Sequence, residues 1–245
     1  FTKLADGSSH SADSGMVPGI GEWHHFAVTF DGVSGQSAIY YDGEKVDVSF
    51  TTPAGVGTAD TGGFHIGSFR GGNGRFFEGL IDEVGIWNRV LRADEIAYLA
   101  EGNAIPLPDP AKTPKDGLQA SWGFDGDFSS STFGFHGEPV HGALISDDAK
   151  VGNGSVSFAQ ADKQYVDVQN QVIENGALAY SSAGWFKATG GEGRRFLWET
   201  SPSNWAVSTE VTPARNVKAF TKLADGSSHS ADSGMVPGIG EWHHF

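Results

Sequence analysis

Glu78, Asp82 and Glu83 lie in one apolar run, Arg75 to Trp87, that reads as one or two β-strands. On a strand, residues two apart share a face, so Glu78, Leu80, Asp82 and Val84 point one way and Glu83 the other. Cleaving a glycosidic bond takes two carboxylates about 5–10 Å apart across one cleft. Glu78 and Asp82 stand four residues apart with Leu80 between them, which does not make that pair. His24 and His25 are adjacent on a strand and face opposite sides, while His10, His65, His136 and His141 are scattered, so zinc has no spacing support. No Ser-His-Asp pattern, nucleophile elbow or phosphate loop appears, and Gly71-Gly72-Asn73-Gly74 opens no helix. The sequence thus predicts no catalytic residues and no enzyme.

Binding is the remaining chemistry. Asp125-Gly126-Asp127 offers hard oxygens of the kind calcium gathers in sixes to eights, although Asp is equally a turn former. Phe133 and Phe135, in a Ser/Gly loop, are the least core-like aromatics. With Trp205 they are the candidate ligand-binding residues, as platforms for a sugar or as a subunit contact patch. Trp198 reads either as a platform or, with Trp87, Trp122 and Trp185, as core, the usual fate of a strand tryptophan.

Composition narrows the partners. A formal net charge of −14 argues against nucleic acid and anionic membrane, which need a basic face. The absence of cysteine removes disulfides, thiolate metal sites and thiol nucleophiles. No apolar run approaches the ~20 residues that cross a bilayer, so membrane insertion is not expected. An apolar fraction of 38% suffices for a buried core, and 35 glycines suit many tight turns between short strands.

Those turns punctuate the chain. Glu22–Phe30 alternates as a strand, and Ser37–Phe50 reads as a hairpin with Asp42-Gly43 at its tip. Phe64–Ser68, Leu118–Phe124, Gly154–Phe158, Gln164–Val168, Ala183–Ala188, Arg195–Thr200, Trp205–Thr209 and Val217–Leu223 read as further strands. Leu91–Glu101 is the one helix, closed by Gly102. The fold class expected is all-β, a two-sheet antiparallel jelly-roll sandwich with one short helix.

Two features organise these elements. Residues 1–26 recur letter for letter as residues 220–245, surface positions included, which reports sequence copying rather than packing. Residues 103–116 hold four of the ten prolines and read as a semi-rigid linker.

Four passages resemble the LamG-like jellyroll family of concanavalin A-like sandwiches. They are Gly117–Gly126 (GLQASWGFDG), Glu22–Val46 (EWHHFAVTFDG through YYDGEKV), Gly79–Gly102 (GLIDEVGIW through the helix) and Ser181–Lys187 (SSAGWFK). In the family the first of these opens the domain and the third closes it; here the order is rotated. Residues 1–102 then correspond to the C-terminal half of a sandwich and 117–245 to the N-terminal half. The resemblance implies that Asp82 lies near the opening strand and that Asp82, Asp125 and Asp127 hold a structural calcium ion. Against this, Ser129–Gly137 lacks the acidic residue and the asparagines of the corresponding loop in relatives. A half-sandwich has a bare apolar face, so something must complete it. Closure within one chain as a circular permutant, a tandem array, and a fibre of exchanged halves are the three ways, and the array or fibre is the one favoured. The expected role is a structural or adhesive repeat of a large extracellular or cell-surface protein, with neighbouring copies and glycans as partners; a carbohydrate-binding module is the alternative.

Overall fold

The computed structural model describes residues 19–47, 54–55, 57–58, 62–69, 71–105, 117–132, 134–200, 207–213, 217–222 and 228–232. They form two antiparallel sheets. The first segment supplies β1 (His24–Asp31), β2 (Gln36–Tyr41), β3 (Glu44–Lys45), β4 (Gly63–Ile66), β5 (Gly79–Trp87) and helix α1 (Ala93–Ala100). Beyond residue 116 come β6 (Leu118–Trp122), β7 (Glu138–Val140), β8 (Leu144–Ser146), β9 (Ser155–Phe158) and β10 (Tyr165–Gln171). These are followed by β11 (Ala179–Ala188), β12 (Arg195–Thr200), β13 (Val207–Val211), β14 (Val217–Lys222) and β15 (Ser228–Asp232).

An eight-stranded sheet runs β3-β2-β1-β11-β5-β9-β8, with β6 also paired to β5; a seven-stranded sheet runs β15-β14-β13-β12-β4-β10-β7. Both mix strands from the two segments. β1 pairs with β11 from His24↔Phe186 to Asp31↔Ala179, and β4 sits between β10 and β12. The two segments therefore close on each other within this chain.

The expected alternation explains most of the packing. Phe26 and Phe30 of β1 enter the main core with Phe64, Ile66, Val166, Val168 and Phe186, so apolar side chains of the two sheets fill the interior. Phe64 stacks on Trp122 at 5.2 Å and on Trp198 at 5.3 Å. The β2–β3 turn has Asp42 at φ 48° and Gly43 at φ 88°, the two positive values that a two-residue hairpin turn requires.

Helix α1 lies on the outer face of the eight-stranded sheet. Ile96 and Leu99 pack with Ala27, Tyr40, Trp87 and Ala183. Glu95, buried, accepts hydrogen bonds from the Arg89 guanidinium at 2.8 and 2.6 Å and from the Arg92 amide at 2.8 Å, which fixes the first turn. Gly102, at φ 87°, ends the helix as expected.

Three strands were not foreseen: β7, β8 and β15. A second difference lies in β5, which is one nine-residue strand interrupted by a bulge. Its register with β11 slips between Trp185↔Asp82 and Ala183↔Gly85, and Glu83 takes φ 48°. The extra residue flips the alternation, so Val84 joins Ile81 and Ile86 in the core instead of sharing the face of Asp82.

Candidate functional site

The bulge of β5 is where chemistry gathers. On the side of β5 away from β11, β9 covers residues 79–81 and β6 covers residues 84–87, so Asp82 and Glu83 fall in the gap between two partner strands. Both are buried. Asp82 Oδ2 accepts the amide protons of Lys150 at 2.9 Å and Val151 at 3.0 Å, whereas Oδ1 is buried without a partner. Glu83 Oε2 accepts the amide of Ile105 at 2.8 Å. Asp125, on the loop that leaves β6, accepts the amides of Asn153 and Gly154. Gly123 and Gly152 let this loop close, since a Cβ would lie 2.9 Å from Glu83 Oε1 at the first and 2.3 Å from Asp125 Oδ1 at the second.

Burial raises the pKa of Asp82 to about 6, and the charge of Asp125 adds to that. Burial raises Glu83 to about 7, with Asp82 and Asp125 adding to it. The charge of Asp125 thus bears on both buried carboxyls, which burial pushes toward the protonated form.

The sequence-derived set of Asp82, Asp125 and Asp127 is thus assembled only in part. Asp82 and Asp125 come together. Asp127 is exposed and turns to the amide of Ser129 at 2.7 Å, an ordinary loop-closing bond. Glu83 stands nearer in its place, brought round by the bulge. The oxygens suit a hard cation in kind, and Asp82 Oδ1 is an orphan that a cation would satisfy. As placed, however, these residues do not fit calcium. Most of their other oxygens are committed to backbone amides, and no three His, Asp or Glu side chains among the described residues form a metal-holding group.

The aromatic candidates fare differently. Phe133 and Trp205 lie outside the described residues. Phe135 is half-buried, packs against the main core, and its carbonyl accepts the indole N–H of Trp122 at 2.9 Å. Trp87, Trp122, Trp185 and Trp198 are all buried, as the core reading expects.

Two histidine environments emerge from the register. His25 is buried against Trp185, and burial drives its pKa to about 3 against the pull of Asp42, so the ring is neutral. His65, on the outer face of the seven-stranded sheet, stands directly opposite Asp167 and Glu199 on its two neighbouring strands. Its ring nitrogens lie 3.4 Å from Asp167 and 3.1 Å from Glu199. The three residues are far apart in sequence, and only strand order reveals the trio. The ring fills the space between the carboxylates, and Glu199 is buried.

The described strands form a two-sheet antiparallel jelly-roll sandwich. Residues 2–97 match the model of a laminin G-type family described as the concanavalin A-like lectin/glucanases superfamily, and that part of the chain is a LamG-like sequence. Neither the curated proteins nor the solved structures contain a match to the chain.

Proposed function

We propose that the chain is a non-enzymatic structural or adhesive repeat unit of an extracellular surface protein or filament, with copies of the same repeat as its neighbours. The observation that carries this reading is the letter-for-letter recurrence of residues 1–26 as 220–245. Its two copies are put to different uses. Gly19–Phe26 of the first leads into and begins β1 of the eight-stranded sheet, whereas Phe220–Lys222 and Ser228–Asp232 of the second supply strand in β14 and β15. Among the described residues these portions correspond to different parts of the repeat, positions 19–26 from the first copy and positions 1–3 and 9–13 from the second. A repeat whose two copies serve different strands suits an array, in which copies follow one another. Electron microscopy of the full protein with light scattering in solution tests it: beads in series, or filaments, support the reading, and isolated single globules at all concentrations overturn it.

A second reading, carbohydrate binding, is favoured by a specific surface: the part of the eight-stranded sheet's outer face where Trp23, Asp148 and Lys187 meet. Hydrolysis of a bound polysaccharide would overturn the non-enzymatic part of either reading.

A further inference from the structure

Helix α1 covers the outer face of the eight-stranded sheet around Ala27, Trp87 and Ala183 and leaves another part of that face to the side chains of the strands themselves. Four residues there stand in register across four neighbouring strands, Leu144↔Ser157, Ser157↔Leu80 and Leu80↔Lys187, with Leu80 buried as the floor of the line. Trp23, one residue ahead of the pair His24↔Phe186, continues the line on the β1 side. Four strand spacings make this line about 19 Å long.

Its chemistry changes along its length. Leu144 is 67% exposed at one end, and Trp23 is half-buried at the other. Beside Trp23, the loop after β8 brings in Asp148. Its Oδ1 accepts the Trp23 indole N–H at 3.2 Å, and its Oδ2 accepts Lys187 Nζ at 2.7 Å. Lys187 Nζ lies 6.0 Å from the Trp23 ring centre. The loop is held at Asp148 from both sides: its carbonyl accepts Ser155 Oγ at 2.7 Å and its amide donates to Ser146 Oγ at 3.1 Å.

An aromatic face beside a fixed acceptor–donor pair recognises a sugar ring, whose C–H face packs on indole while its hydroxyls exchange hydrogen bonds with carboxylate and ammonium. The ion pair leaves Asp148 with spare lone pairs and Lys187 with spare protons, but no net charge. That balance suits a neutral ligand, and the chain's −14 charge repels a polyanion. The length of the line suits a short chain of sugars rather than one.

We propose that this line binds a neutral linear oligosaccharide lying across the strands, with one ring on Trp23, hydroxyls on Asp148 and Lys187, and the far end on Leu144. The proposal rests on the carbohydrate reading above and names its site and ligand class.

The test is calorimetric titration of the chain with neutral hexaoses (gluco-, manno- and xylo-linked) and with an oligouronate. Trp23→Ala and Leu144→Asp are run beside the native sequence, with thermal melts to verify folding; Leu144 is exposed, so its variant keeps a folded protein in the comparison. Binding of a neutral hexaose, weakened about tenfold or more by either substitution, is the expected result. Undiminished binding in both folded variants overturns the site and leaves the carbohydrate reading standing. No binding of any neutral hexaose by the native chain overturns both. Preference for the oligouronate overturns the ligand class.

Discussion

The carboxylate of Asp82 accepts the amide proton of Val151 at 3.0 Å, tying the bulge of β5 to a loop 69 residues further along the chain. Lys150 donates to the same oxygen, and Glu83 does the equivalent for Ile105. Two consecutive acids of the first segment thus anchor Ile105 at its end and the Lys150–Val151 loop of the second. Replacing Asp82 by Ala strands two amide donors, one of them on a buried residue, and is expected to cost roughly 2–4 kcal/mol. Urea unfolding of the variant measures the loss; an unchanged midpoint would show that the bulge does not hold the loop.

Because burial lifts Asp82 to about 6 and Glu83 to about 7, the same pair makes stability depend on pH. A carboxyl whose folded pKa lies above its unfolded value holds its proton more tightly when folded. The stability this contributes is complete below about pH 4 and is lost as pH rises through 6 and then 7, on the order of 3 kcal/mol for Asp82. Asp31 and Asp148 act in the opposite sense: hydrogen bonds from Ser34 and Lys187 hold them below the ordinary range, and their contribution disappears as pH falls through their lowered values. Melting followed from pH 4 to pH 8 should therefore show a decline toward neutrality that Asp82→Asn flattens. Calcium at millimolar concentration should leave the midpoint where it is. A rise of several degrees at pH 8 with calcium would mean that Asp82 and Asp125 recruit the ion with backbone oxygens.

The helix offers a smaller, local test. Glu95 is buried and takes both the Arg89 guanidinium and the amide of Arg92. Removing one partner of a buried pair leaves the other uncompensated, so Glu95→Ala should destabilise by about 2–4 kcal/mol. Gly43→Val, at φ 88° and with a Cβ 3.0 Å from that of Ala100, should add about 1–2 kcal/mol of backbone strain at the neighbouring hairpin. Circular dichroism melts of the two variants distinguish them, since only the first disturbs the helix start.

How far the sequence reveals this molecule depends on the range of the interaction involved. Period-two apolar runs gave β1, β2, β9 and β12 because each buries a regular face, and Asp42-Gly43 announced its turn through backbone conformation alone. β15 reads Ser-His-Ser-Ala-Asp, with no apolar alternation; it exists because β14 offers it an edge. β7 and β8 are three residues each, too short for a period to show. Asp82 and Asp125 were legible through family likeness. Glu83 was not, because this bulge sets its backbone at φ 48°, a left-handed conformation that glutamate does not signal. Trp23 stood in plain view at the mouth of a strand, but Asp148 and Lys187 meet it only through strand order. The charge trio around His65 is hidden for the same reason.

Closure of the two segments within one chain is best tested where their cores meet. Phe64, from the first segment, stacks on Trp122 and Trp198 from the second, at interplanar angles of 7° and 21°. All three rings are fully buried, so they bind one segment to the other rather than stiffening either alone. Deleting the Phe64 ring leaves a cavity against both indoles and should cost about 3–5 kcal/mol, a large part of the stability of a domain of this size. Phe64→Leu, which refills most of the volume, should recover more than half of that loss. If the segments close within the chain, both effects are independent of protein concentration and follow one cooperative transition, read by tryptophan fluorescence and by circular dichroism alike. A midpoint that rises with concentration would mean instead that Phe64 of one chain packs against Trp122 and Trp198 of another, and the sandwich would be completed between copies.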